Sequence, residues 1–189
     1  MEKVIIMNYS DPNENIPDQV ITVDATDLQC SNSVLRKISR SVMEEKVDPE
    51  PIVMRMLKAL YKINHGRGIS AIQIGIPLRI IVVNIERTPG KDIIMIDPVL
   101  ISVTGRMTER SEGCMSLPNY KGFLARRNKI KIKGYNIEGQ EFEISSHGYE
   151  ANVIQHEMDH LDGILYWDKM PVGSKPAPID YKKPNKDQF

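Results

Sequence analysis

The feature that most constrains this chain is the stretch VIQHEMDHLDGILYW, Val153 to Trp167, which contains H-E-x-x-H. On a helix, residues four apart are neighbours with Cβ atoms roughly 5–6 Å apart. The imidazoles of His156 and His160 can therefore converge on one cation. Glu157 is turned aside from the histidine axis and can reach a water on that cation without ligating it. The same motif arises by chance on exposed amphipathic helices, where all three side chains simply meet water. Here Val153, Ile154, Met158 and Leu161 surround it, so the helix is expected to be mostly buried, and a buried histidine pair needs partners. The helix should run from about Gly148 to Leu161, with Gly163 placed to end it.

Two histidines leave a third ligand to be found. A metzincin continues as H-E-x-x-H-x-x-G-x-x-H; Gly163 fits, but the last position is Tyr166. A thermolysin-type site takes a downstream glutamate, and none follows Glu157. His65 and His147 are possible donors that nothing in their surroundings selects. Cys114, in SEGCMSLP, lies in a Glu-Gly-Cys segment bounded by Pro118, a poor place for an idle thiol. The bland alternative is a small buried hydrophobe. A thiolate with two imidazoles gives a Cys-His-His site with one position open, the mark of a catalytic metal.

The rest of the chain suits one α+β domain. Its 189 residues are enough to bury a core. Lys+Arg and Asp+Glu number 25 each, so no net field favours nucleic acid or an anionic membrane. KIKIK and YKK read as solvated strand and tail surface. No apolar run approaches the ~20 residues of a membrane span, and no signal peptide is evident, so a soluble protein of the cytoplasm, or of an organelle lumen in a eukaryote, is expected. Two cysteines, Cys30 and Cys114, make no disulfide framework. A short strand is expected in ITVDAT and a first helix through SVLRKISRSVMEE. A second helix follows Asp48 and Pro49, with an apolar stripe of Ile52, Val53, Met56, Leu57, Leu60 and Tyr61. LRIIVVNI (78–85) reads as a strand buried on both faces. DIIMIDPVLISV (92–103) reads as two short strands or an edge, because of Pro98. KIKIKGYN and QEFEIS flank IEG as a hairpin. Mixed or antiparallel strands should pack around the histidine-bearing helix. Residues 1–30 would form an N-terminal segment, 31–170 the catalytic domain, and 171–189 a Pro/Lys-rich tail, extended or disordered.

EGCMS (112–116) and QHEMDH (155–160) resemble the second and third signatures of the peptide deformylase family. GRGISAIQIG (66–75) resembles its first, usually G-x-G-[hydrophobic]-A-A-x-Q, and SVLRKIS its early LRK helix. The resemblance spans about residues 30–170. It implies a deformylase-like fold and a metal-dependent hydrolase that removes the formyl group from N-terminal formylmethionine of new polypeptides, releasing formate. It implies one divalent metal, usually Fe(II), with Zn, Ni or Co as replacements, held by Cys114, His156 and His160. Glu157 would be the general base toward water activated by the metal. The Gln73 amide and the Met115 backbone N–H would stabilise the oxyanion. Arg67, Gly68, Glu112, Gly113 and Ile154 would line the substrate pocket. The partners implied are formylmethionyl peptides and, for some members, the ribosome near its exit tunnel.

Three residues depart from the family pattern. Ser70 replaces the usual first alanine and Met115 the usual leucine, a mild change where only the N–H is used. Arg67 stands where Val or Ile normally borders the pocket for the methionine side chain; it either points to solvent or gives an acidic group on the substrate a partner. Two rival readings remain: a metalloprotease acting on internal peptide bonds, and a diverged, inactive relative that keeps metal for structure.

Overall fold

Strand β2 (Ile80–Val83) organises the packing, because all four of its side chains are buried. Alternation sends Ile80 and Val82 into one core with helix α2 (Glu50–Lys62), and Ile81 and Val83 into a second with helix α3 (Gly148–Leu161). The computed structural model describes residues 19–180. The remaining elements are α1 (Val42–Glu45), β1 (Gly68–Ser70), β3 (Ile93–Cys114), β4 (Leu117–Tyr135), β5 (Glu141–His147) and β6 (Ala177–Pro178), with 3-10 turns at Val34–Arg36, Ala71–Ile74 and Tyr166–Lys169. The strands form one antiparallel sheet in the order β1-β2-β3-β4-β5, with β6 added to β4. The architecture is α+β, with α3 packed against the sheet.

Several elements follow the sequence directly. Helix α3 has the expected bounds, and Gly163 beyond it has φ +71°. In α2, Asp48 Oδ1 accepts from the Glu50 N–H at 3.0 Å, and the apolar stripe is buried except for half-buried Tyr61. The β4–β5 hairpin pairs Tyr135 with Glu141 around the expected turn.

Others differ. ITVDAT forms no strand: Ile21 N–H bonds to Gln73 O and Val23 N–H to Ser116 O, both at 2.7 Å. Two different partners leave no ladder to extend. The first helix breaks into the Val34–Arg36 turn and the short α1. Between them Ser39 N–H goes to Leu161 O at 2.8 Å and Arg40 N–H to Pro77 O at 3.0 Å, so tertiary acceptors take donors that a helix would have used. DIIMIDPVLISV is the start of one long strand, β3. Its register shifts between Ile96 and Val99, and a bulge there removes the need for the missing N–H of Pro98. The bulge also sets Asp97 at φ +47°, where its carboxylate accepts from Ser41 Oγ and the Val42 and Met43 N–H groups to cap α1.

Of the tail expected at 171–189, Ala177–Pro178 pairs with β4, and 181–189 lie outside the described residues, as do residues 1–18. Among the described residues no helix is long and apolar enough to cross a membrane.

Candidate metal centre

Three separate parts of the fold meet at one point. The first is α3. Its residues Tyr149, Asn152, Val153, His156, Glu157 and His160 follow helical spacing along one stripe, and all but His160 line a cleft of about 730 Å³. The second is the tip of the β3–β4 hairpin. Cys114 and Leu117 pair across the two-residue turn Met115–Ser116, so the turn itself presents the thiol. The third is the 3-10 turn that carries Gln73.

Cys114 Sγ lies 3.3 Å from His160 Nε2, which is 3.2 Å from His156 Nε2. The three donor atoms all fall within 4.8 Å of one another. Donors about 2.0–2.3 Å from a shared cation in a tetrahedral arrangement are about 3.3–3.7 Å apart, so the Cys114–His160 and His160–His156 spacings suit a shared first-row metal, and three donors would leave a fourth position open. The electrostatics agree. Burial lowers both imidazoles, but Cys114 and Glu112 pull His156 well above its usual range while His160 is held well below. His65 and His147 are both exposed, and neither joins the cluster. Tyr166, where a metzincin would have histidine, stacks on His156 with ring centroids 6.1 Å apart.

Glu157 is 3% exposed, and its Oε2 has no partner among the described residues. Burial raises its carboxyl to about 7, against the pull of His156. Gly68 is the reason it fits. A Cβ there would lie 2.6 Å from Glu157 Oε1 and 2.8 Å from Val153 Cγ1, so β1 can run against the carboxylate only without a side chain.

Gln73 is held at both ends. Its Oε1 accepts from the Ser70 N–H at 2.9 Å and Ser70 Oγ at 3.1 Å. Its Nε2 is therefore turned toward the hairpin tip, 3.5 Å from Cys114 Sγ and 3.2 Å from Ser116 Oγ. The hydroxyl of Ser70 thus finds a local partner and fixes which way the amide points.

Glu112 lines the cleft, but its carboxylate is committed elsewhere. It accepts from His156 Nδ1 at 2.9 Å and from Arg126 Nε and Nη2 at 2.6 and 2.9 Å. Burial would raise it, and the bonds from His156 and Arg126 override this to leave it at about 2. Fixing His156 Nδ1 in this way leaves Nε2 for a metal. Arg126 also reaches Asp159 at 2.7 Å, and Asp159 reaches Lys169 at 2.6 Å.

Of the other expected pocket residues, Arg67, Gly68 and Gly113 line the cleft. Ile154 does not: it is 1% exposed and belongs to the core between α3 and the sheet, while Val153 faces the cleft. One step along a helix turns a side chain by about 100°. Sequence reasoning missed Arg126, Ser116, Arg110, Tyr149 and Asn152. The last two lie at i−7 and i−4 from His156, a spacing that selects them once the ligand face is known.

The polypeptide deformylase family model matches residues 27–175. A peptide deformylase of Wigglesworthia glossinidia brevipalpis is 38% identical over 160 residues, covering 85% of this chain and 96% of the relative. One from Lachnoclostridium phytofermentans is 36% identical over 139 residues, covering 74% and 84%. Among solved structures, a Synechococcus elongatus peptide deformylase in complex with actinonin aligns with TM-score 0.73 at 25% identity, over 85% of this chain and 82% of that one. A Thermotoga maritima peptide deformylase aligns with TM-score 0.69 at 28% identity, over 81% and 97%. The family match runs across the hairpin tip, the Gln73 turn and the histidine helix together, and the chain belongs to the polypeptide deformylase family.

Proposed function

We propose that this chain hydrolyses the formyl group from N-formylmethionyl peptides with a metal held by Cys114, His156 and His160. The observation that carries the reading is the juxtaposition of those three donors with the buried, half-unpartnered carboxylate of Glu157. A purely structural metal site has no use for that carboxylate. A bound divalent ion supplies Lewis acidity, lowering the pKa of a water and polarising a carbonyl oxygen. Iron(II) is the ion proposed, with zinc, nickel or cobalt able to replace it, since thiolate and imidazole suit several first-row metals.

Glu157 then acts as general base. Its carboxylate, with Oε1 beside Gly68 and Oε2 without a partner among the described residues, takes a proton from the attacking water and returns it to the leaving amine. As charge develops on the formyl oxygen, Gln73 Nε2 and the Met115 N–H donate to it. Ser70 keeps the amide pointed, so no reorganisation is needed at that moment. Glu112 and Arg126 hold the His156 ring. Nascent chains emerging from the ribosome are the source of such formylated ends.

The test is formate release from formyl-Met-Ala-Ser by protein loaded anaerobically with iron(II), beside the same peptide without the formyl group. Formate from the first and no cleavage of the second is expected; cleavage of internal bonds instead makes the chain a protease. Glu157→Ala should keep one metal per chain and lose turnover by at least about 10³-fold. Surviving turnover removes Glu157 as the base.

A further inference from the structure

One side of the cleft carries charge that the chemistry above leaves unused. Arg110 and Glu112 are two apart on β3 and so share a face. Glu112 reaches His156, which puts Arg110 on the metal side of the strand, one step farther out. Arg67, preceding Gly68, lines the same cleft. Tyr149, Arg67, Arg110 and Glu112 all line this part of the cleft, with the three charged groups acting on the tyrosine, and together they flank one hollow. Asn152 and Tyr149 place it one to two helical turns, roughly 6–10 Å, toward the N-terminus of α3 from His156.

Neither guanidinium has a carboxylate partner among the described residues. Arg67 bonds only the Gly66 carbonyl at 3.4 Å, and Arg110 Nε is buried with no partner. The hollow's floor adds a second, independent observation. Asn152 lines it at 3% exposure, and neither its Oδ1 nor its Nδ2 has a partner among the described residues. A buried amide left unpaired is costly and calls for a ligand that bonds it. The cleft's negative groups do not cancel the arginines. Glu112 is engaged by Arg126 and His156, Glu157 sits at the metal centre, and Asp180 brings one charge against two.

We propose that Arg67, Arg110 and Asn152 form a carboxylate-binding subsite, so that this chain selects N-formyl peptides carrying an acidic side chain close to the formyl end. The inference rests on the deformylase reading and names its preferred substrate class. The two arginines supply charge-assisted donors, and Asn152 Nδ2 supplies a neutral one. The carboxylate comes from either the first or the second residue of the peptide, and the two sources are separable.

The experiment compares kcat/KM of the metal-loaded protein on isosteric pairs of peptide amides: formyl-Glu-Ala-Ser with formyl-Gln-Ala-Ser, and formyl-Met-Glu-Ser with formyl-Met-Gln-Ser. In one pair the carboxylate member should lead by about 10–100-fold, the range of a desolvated charge-assisted contact; which pair does so identifies the position. The lead should shrink as salt rises and fall below about threefold in Arg67→Ile and Arg110→Leu. The same peptides are titrated into metal-loaded Glu157→Ala, which reads the subsite without turnover.

Formate release with no carboxylate preference in either pair overturns the subsite and leaves the deformylase reading intact. Absence of formate from every peptide, with selective binding of the carboxylate member to Glu157→Ala, overturns the deformylase reading and keeps the subsite. Absence of both overturns both.

Discussion

At the scale of single residues, the proposed centre requires Cys114 to ligate as a thiolate and Glu157 to stay off the metal. A serine hydroxyl at 114 stays protonated at neutral pH and is a far poorer donor. Cys114→Ser should weaken metal affinity by more than the roughly 10–100-fold typical of losing a ligand's outer partner. Competition with a chromogenic chelator measures it, and full occupancy in the variant takes Cys114 out of the site. The histidine pair and Glu157 are legible in the sequence because i to i+4 spacing is local. The part played by Glu112 is not. Period-two alternation says that it shares a face with Arg110, but not whether that face meets the histidines or water.

At the scale of elements, α3 is the part best specified by its own residues, down to the glycine that ends it. Gly163 has φ +71°, and a Cβ there would lie 2.6 Å from the Arg36 carbonyl oxygen. Both strain and collision oppose a side chain. Gly163→Ala should cost about 2–3 kcal/mol, a fall in Tm of roughly 4–12 °C. Gly139 has φ +76° in the β4–β5 turn with open space around it, so Gly139→Ala should cost only the strain, and less than Gly163→Ala. Equal losses in the two variants would mean that packing against Arg36 contributes nothing. Strand β3 was harder to read. Pro98 argues against a continuous strand unless a bulge absorbs it, and at that bulge the Asp97 carboxylate turns to cap α1.

At the scale of the whole molecule, distant segments are tied together around the Cys-His-His cluster. The stretch containing Ile21 and Val23 bonds the Gln73 turn and the hairpin tip, holding two parts of the centre in register. Arg126 joins Glu112 on β3 to Asp159 on α3, with its side chain only 3% exposed. Arg126→Leu leaves Glu112 with only His156 and Asp159 with only Lys169 as partners and should cost up to about 3–5 kcal/mol. It should also lower metal affinity by roughly 10–100-fold through the loosened His156 ring. Lys131–Glu143, at 2.6 Å on the surface with nearly half of each side chain exposed, is the control, and its loss should cost no more than about 1 kcal/mol. Thermal melts and chelator competition read both variants. A metal that binds only the folded chain also stabilises it, by about 2.7 kcal/mol at a hundred times its Kd. Chelation of the loaded protein should therefore lower Tm by roughly 5–10 °C, reversed by re-addition. A Tm indifferent to chelation would mean that the cluster is not a metal site in the folded protein.

The sequence alone carries the chemistry of the donors, the helix that bears two of them and the alternation that buries β2 on both faces. Each of these is a local pattern, fixed by backbone periodicities that hold wherever the segment lies. It did not determine the break in the first helix, the continuity of β3, the inward turn of Ile154 or the meeting of Arg67, Arg110 and Asn152. Only the tertiary structure decided these, because backbone donors and side-chain faces go to the nearest partner in space. Two bonds to Ser39 and Arg40 undo a helix, one bulge at Asp97 and Pro98 carries a strand past a proline, and a single step along α3 sends Ile154 to the core and Val153 to the cleft.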